Sequence, residues 1–147
     1  MGAHPFWYFT RYQADIDRAL QELRDMEFQA GRYNPVMPFL AFPAERNTSA
    51  PGAQHSTIEE ALEQSEADGT RSILDLQTIG DEADFGVAAK LADVMLKKLF
   101  GTTQPTHEMI ESNMEFFDEI ERGQGIYAVV FKDGRPDELF FAGYSFD

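Results

Sequence analysis

Apolar positions recur along this chain in two rhythms. Phe6-Trp7-Tyr8-Phe9-Thr10-Arg11-Tyr12 is aromatic on both alternations until Thr10 and Arg11, which predicts a strand covered on both faces, and therefore an interior one. The period then changes. Ile16, Ala19, Leu20, Leu23, Met26 and Ala30 return at three- and four-residue spacing, with Asp15 placed to cap the start of a helix and Gly31 to stop it.

From Arg32 to His55 four of the seven prolines (Pro35, Pro38, Pro43, Pro51) interleave with Val36, Met37, Phe39, Leu40 and Phe42. Proline at this density forbids a long helix or a central strand. The segment 32–55 is therefore a Pro-rich loop, its apolar first half ordered against the body and its second half, Ala44 to Gln54, mobile.

Ser56-Thr57-Ile58-Glu59 reads as a capping box opening a helix that runs to about Ala67. Ile58, Ala61 and Leu62 form its narrow apolar stripe. Arg71 to Gln77 reads as a short strand, followed by an acidic turn at Gly80-Asp81-Glu82-Ala83-Asp84. Leu91, Val94, Met95 and Leu99 mark a third helix that starts near Ala88 and ends at Gly101. Met109, Ile110, Met114, Phe117 and Ile120 mark a fourth, from Thr106 to Arg122. Ile126–Phe131 and Leu139–Tyr144 flank Asp133-Gly134, a hairpin turn pair. The expected class is α+β: a four-stranded, largely antiparallel sheet with about four helices packed on it, in a single globular domain spanning residues 1–147.

Composition narrows the chemistry. The absence of cysteine excludes disulfides, iron–sulfur clusters, thiolate zinc sites and cysteine nucleophiles. No run of about eighteen apolar residues exists to span a bilayer, and Met1 to Pro5 lacks the basic-then-apolar order of a secretory leader, so the expected setting is cytoplasmic.

The net charge of −14 is unevenly placed. Residues 56–85 hold nine acids against one base and residues 106–123 six against one, so −8 and −5 of the −14 lie in those two segments. Such a field repels nucleic-acid backbones and anionic lipid, and attracts a basic protein. Acidic helix faces that merely keep a protein soluble would read the same way.

Motif-level chemistry is sparse. No phosphate-binding Gly-Lys-Ser/Thr loop occurs, and Gly123-Gln124-Gly125 lacks the third glycine of a dinucleotide fingerprint. Gly143-Tyr144-Ser145-Phe146-Asp147 lacks the second glycine of a nucleophile elbow. His55 and His107 each precede a glutamate by four residues, Glu59 and Glu111, but Ser56 and Thr106 already account for those segments as helix caps. No metal or other cofactor is expected. Asp75, between Leu74 and Leu76, is the one acid placed among apolar neighbours.

Gly31-Arg32-Tyr33-Asn34-Pro35 offers a cation, a ring and an amide where a helix gives way to the long loop. The same residues also read as a cap, a packed ring and a turn. With Ala30 before it, the stretch resembles the Gly-Gly-Arg-Trp-Asn-Pro segment of RES-type toxins, which act on NAD. Arg32 matches that family's arginine, while Ala30 replaces its first glycine and Tyr33 its tryptophan.

Two functional expectations follow. The first is a small acidic interaction protein, immunity-like or inhibitor-like, that binds a basic partner through Glu63, Glu66, Glu115 and Asp118, with Phe39 and Phe42 as apolar anchors. The second is a small enzyme or ligand-binding protein whose site gathers Arg32, Tyr33, Asn34 and Asp75, with His55 or His107 beside the loop. Aromatic strands in need of cover are compatible with a homodimer in either case.

Overall fold

The computed structural model describes residues 4–38, 40–43 and 49–146. Five strands, β1 (Pro5–Arg11), β2 (Thr78–Gly80), β3 (Val87–Lys90), β4 (Gly125–Lys132) and β5 (Arg135–Tyr144), form one sheet in the order β1-β5-β4-β3-β2. β5 runs antiparallel to both its neighbours, β1 and β4, whereas β2, β3 and β4 are mutually parallel. Four helices accompany them: α1 (Ile16–Ala30), α2 (Ile58–Gln64), α3 (Asp93–Phe100) and α4 (His107–Ser112). The α+β class holds, with five strands in place of four and a mixed sheet.

Alternation along the strands divides the core in two. Phe6, Tyr8, Leu139 and Phe141 pack with α1, α2 and the 3-10 turn Ile73–Asp75, while Trp7, Phe9, Phe140 and Ala142 pack with α3, α4 and the 3-10 turn Glu115–Glu119. Helices therefore cover both faces of the sheet. The apolar faces for which a second copy would have offered cover are covered within the chain.

β1 is an edge strand, not an interior one, yet Phe6 and Tyr8 are buried. α1 and the Ile73–Asp75 turn cover their face, and Phe42 adds to that cover, its ring lying 5.4 Å from Tyr8 and 6.4 Å from Phe6 on one face and 5.9 Å from Trp7 on the other. Contact with both faces places this ring across the outer edge of the strand. Phe42 is thus half-buried against β1, and Phe39 lies outside the described residues.

Residues 71–77 are not a strand. Ser72 Oγ accepts the Leu74 N–H at 3.3 Å and Asp75 accepts N–H groups from Thr70 and Arg71, so local side-chain bonds replace a ladder and fold the segment into a turn. The strand that does form there is the shorter β2. β3 is the added strand: Ala88 and Ala89 are buried in a short apolar run whose period does not separate strand from helix.

The fourth helix stops at Ser112, because Asn113 turns extended and its Oδ1 takes the Glu115 N–H at 3.0 Å, restarting the chain as a 3-10 turn. α2 is capped by Thr57, not Ser56, and ends at Gln64. Asp15 and Gly31 cap α1 as expected, and Asp133-Gly134, both at positive φ, make the two-residue hairpin turn. A register shift opposite Val130 and Phe131 leaves Asp137 unpaired with β4, and its carbonyl accepts the Tyr12 N–H instead. No helix among the described residues is long and apolar enough to cross a membrane.

Candidate functional site

α1 ends where Gly31 enters the left-handed region at φ 80°, which turns the chain so that Arg32 lies back against the helix. Its guanidinium meets the carboxylate of Glu27 through Nη2 at 2.6 Å and Nε at 2.9 Å, and both side chains are about 5% exposed. The hydrogen bonds that Arg32 donates to Glu27 outweigh burial and raise its pKa. A Cβ at Gly31 would overlap the carbonyl oxygen of Gly52. That approach lets Gly52 and Ala53 donate to the last carbonyls of α1, at Ala30 and Gln29, and ties the far end of the Pro-rich loop to the helix.

Tyr33 is fully buried, with its ring stacked 5.7 Å from Phe28. Its oxygen accepts the Gln54 N–H at 3.3 Å and lies 2.8 Å from His55 Nδ1. His55 borders an open groove of about 440 Å³ lined also by Pro35, Val36, Pro51 and Gln54.

Asp75 is completely buried. Oδ1 accepts from the N–H and hydroxyl of Thr70, both at 2.8 Å, and Oδ2 accepts from the Arg71 N–H at 3.1 Å. Burial raises its pKa to about 6 against the opposing effect of these donors. Gly69, at φ 78°, leaves no room for a Cβ beside Oδ2, so the turn 69–71 closes directly around the carboxylate. Arg24 reaches the same region, donating through Nη2 to the Leu74 carbonyl at 3.2 Å, and desolvation lowers its pKa.

The four residues of the ligand-site expectation are linked, but inside the protein. The Asn34 N–H donates to the Thr70 carbonyl at 2.8 Å, and Thr70 in turn donates to Asp75. Arg32, Tyr33 and Asp75 are buried with their hydrogen bonds made by the protein, and Asn34 contributes backbone to the link. None of the three buried side chains is presented to a cleft. His55, hydrogen-bonded to Tyr33, borders an open groove.

His107 is held elsewhere. Nδ1 lies 2.7 Å from Glu138 on β5, Nε2 lies 3.2 Å from Glu111, and the ring stacks 3.8 Å from Phe9. Burial opposes its charge, but Glu138, with Glu111 and Glu108, raises its pKa overall. The i, i+4 glutamate was visible in the sequence; the strand residue Glu138 was not. His55 bonds Tyr33 instead of Glu59. No cluster of three or more histidine, aspartate or glutamate side chains among the described residues is arranged to hold a metal ion.

The acids of the interaction expectation divide between layers. Glu63 on α2 and Glu66 just beyond it lie on the α1 side of the sheet, whereas Glu115 and Asp118 lie in the 3-10 turn on the α3 and α4 side. All four are exposed and form no ion pair with a described residue. Phe85, which the pattern did not single out, stands 57% exposed in the turn between β2 and β3. No protein-family model, curated protein or solved structure matches this chain.

Proposed function

We propose that this chain is an acidic interaction protein of the cytoplasm that binds a basic protein partner and carries out no chemistry of its own. One observation carries the reading. The polar residues that looked most like a catalytic or ligand set are spent on the interior, with Arg32 on Glu27 and Asp75 on Thr70 and Arg71, while the acids of α2 and of the Glu115–Glu119 turn stand unpaired on the surface. A surface of one sign attracts a partner of the other and speeds its encounter. The same field disfavours nucleic acid and anionic membrane.

Capture from the source lysate on the immobilised chain, eluted in salt steps, tests this. Two charge-reversal pairs are compared with the parent: Glu63→Lys with Glu66→Lys, and Glu115→Lys with Asp118→Lys. The expected result is a basic protein released at moderate salt and lost from one pair or both, and the pair that fails names the face that binds. Recovery of no basic protein overturns the reading, and a basic protein retained equally by both pairs shows that these acidic surfaces are not the interface.

One observation favours a second reading, a small-molecule site at the Pro35–His55 groove: the His55 ring, held at Nδ1 by the buried Tyr33 hydroxyl, borders that open space. Thermal shifts on a panel of small anions and nucleotides, abolished by His55→Ala, are its expected signature.

A further inference from the structure

Phe85 is placed at the surface by a connection with no slack. β2 and β3 are parallel neighbours, with Thr78 opposite Val87 and Gly80 opposite Ala89, yet only residues 81–86 join them. Parallel neighbours ordinarily need a crossover of about a dozen residues or more. The short return is held by the Asp84 carboxylate, which accepts the Phe85 N–H at 2.8 Å, by Val87 N–H on the Asp84 carbonyl at 3.1 Å, and by Gly86 N–H on the Gly123 carbonyl at 2.7 Å.

The ring itself is seated. It lies against Gly123, where a Cβ would overlap two of its carbons, and its centroid is 4.6 Å from Phe146. One side of the ring is fixed by these contacts and more than half of the residue remains in water. A large apolar side chain held rigidly in solvent loses little freedom when a partner covers it.

The surrounding charge identifies what would cover it. Asp81, Glu82 and Asp84 lie on the same turn and Glu121 lies two residues before Gly123; all are exposed and none is ion-paired with a described residue. The adjacent base, Arg122, already has a partner. An aromatic face attracts a planar cation through its quadrupole, and carboxylates at its margin take the cation's N–H groups.

We infer that the Phe85–Phe146 pair is the anchor point for an arginine side chain of a basic partner protein. This rests on the interaction reading and assigns its central contact to the β2–β3 turn, apart from the acidic helices.

The test uses the full chain and three peptides: acetyl-Gly-Arg-Gly-Arg-Gly-amide, its lysine counterpart, and its citrulline counterpart, which keeps the shape of arginine without the charge. Carbon-13 ring resonances of phenylalanine report binding. The arginine peptide shifts Phe85 and Phe146; the lysine peptide binds about two- to fivefold more weakly, and citrulline gives no shift. Phe85→Leu weakens the arginine peptide by a similar factor. Asp84→Asn, whose side-chain oxygen still accepts the Phe85 N–H, removes charge alone and also weakens binding. Shifts that spread over α2 and α4 and leave Phe85 unmoved, or unchanged affinity in Phe85→Leu, overturn the anchor. In the lysate capture, a basic protein held by Phe85→Leu as firmly as by the parent overturns the anchor and leaves the interaction reading standing. A capture that recovers no basic protein overturns the interaction reading itself.

Discussion

The hydroxyl of Tyr33 lies 2.8 Å from Nδ1 of His55, joining the residue three beyond the end of α1 to the last residue of the Pro-rich loop. Together with Gln54 N–H on the same oxygen, it closes that loop onto the core. Tyr33→Phe keeps the ring stacked on Phe28 but leaves two polar groups without their partner. The expected loss is about 1–3 kcal/mol, read as a lower urea midpoint at unchanged slope. A variant as stable as the parent would mean that water replaces the hydroxyl and that the loop is held by the Gly52 and Ala53 backbone bonds alone.

Glu27 and Arg32 form an ion pair with almost no exposure. Removing one partner strands the other charge, so Arg32→Met is expected to cost about 3–5 kcal/mol. The double variant Glu27→Leu with Arg32→Met removes both charges and is expected to recover most of that loss. A double-mutant cycle in urea measures the coupling. Additive losses would show that the pair contributes through packing of its stems and not through charge.

Asp75 gives a pH dependence of definite sign. Its pKa in the folded protein is raised to about 6 from an ordinary 3.8, so the folded state holds the proton more tightly than the unfolded chain. The associated stability is fully present below about pH 4 and is lost as pH rises through 6. That difference in proton affinity corresponds to on the order of 2–3 kcal/mol. Asp75→Asn cannot titrate, and its amide places N–H against one of the donors from Thr70 or Arg71. Urea midpoints of parent and variant from pH 4 to pH 7 are expected to converge as pH rises. A gap that widens instead would mean that the donors of Thr70 and Arg71 dominate and hold the carboxylate ionised.

His107 is also raised, through Glu138 and its neighbours, so its contribution is present below the ordinary histidine range and is lost as pH rises through its folded value. Being about one-third exposed, it contributes modestly. Proton NMR of the imidazole resonances is expected to show His107 titrating above 6.5, and Glu138→Gln is expected to bring it down. Titration of His107 at or below 6.5 in the parent would mean that burial, not Glu138, governs the ring.

The legible parts of the chain were those whose cause is local. Asp15, Gly31 and Asp133-Gly134 act on backbone within a few residues, and each does in the structure what its residue type demands. What could not be read depends on distant partners. The run from Ile73 to Leu76 is apolar enough for a strand, but Asp75 draws Thr70 and Arg71 around itself and the backbone turns. Ala88 and Ala89 form a strand because β4 lies on one side of them and β2 on the other. The Arg32–Asp75 neighbourhood was visible as a concentration of polar residues. Its burial was not, because nothing in Arg32 or Tyr33 announces the helix, loop and turn that cover them.

Phe42 makes the clearest case of a loop residue doing the work of a missing strand. β1 has no neighbour on its outer side in the sheet, and an uncovered aromatic edge is a template for pairing with another chain. The Phe42 ring lies across that edge, touching Tyr8 on one face and Trp7 on the other. Being half-buried, it is worth less than a fully enclosed phenylalanine; Phe42→Ala is expected to cost about 2–3 kcal/mol by urea denaturation, below the 3–5 of a full core truncation. The exposed edge is expected to make the variant associate with rising concentration where the parent does not, which sedimentation velocity compares directly. Phe42→Leu, which keeps an apolar cover, restores most of both properties. An alanine variant that matches the parent in stability and in sedimentation would show that other parts of the loop shield the edge, and that Phe42 is free to meet a partner after all.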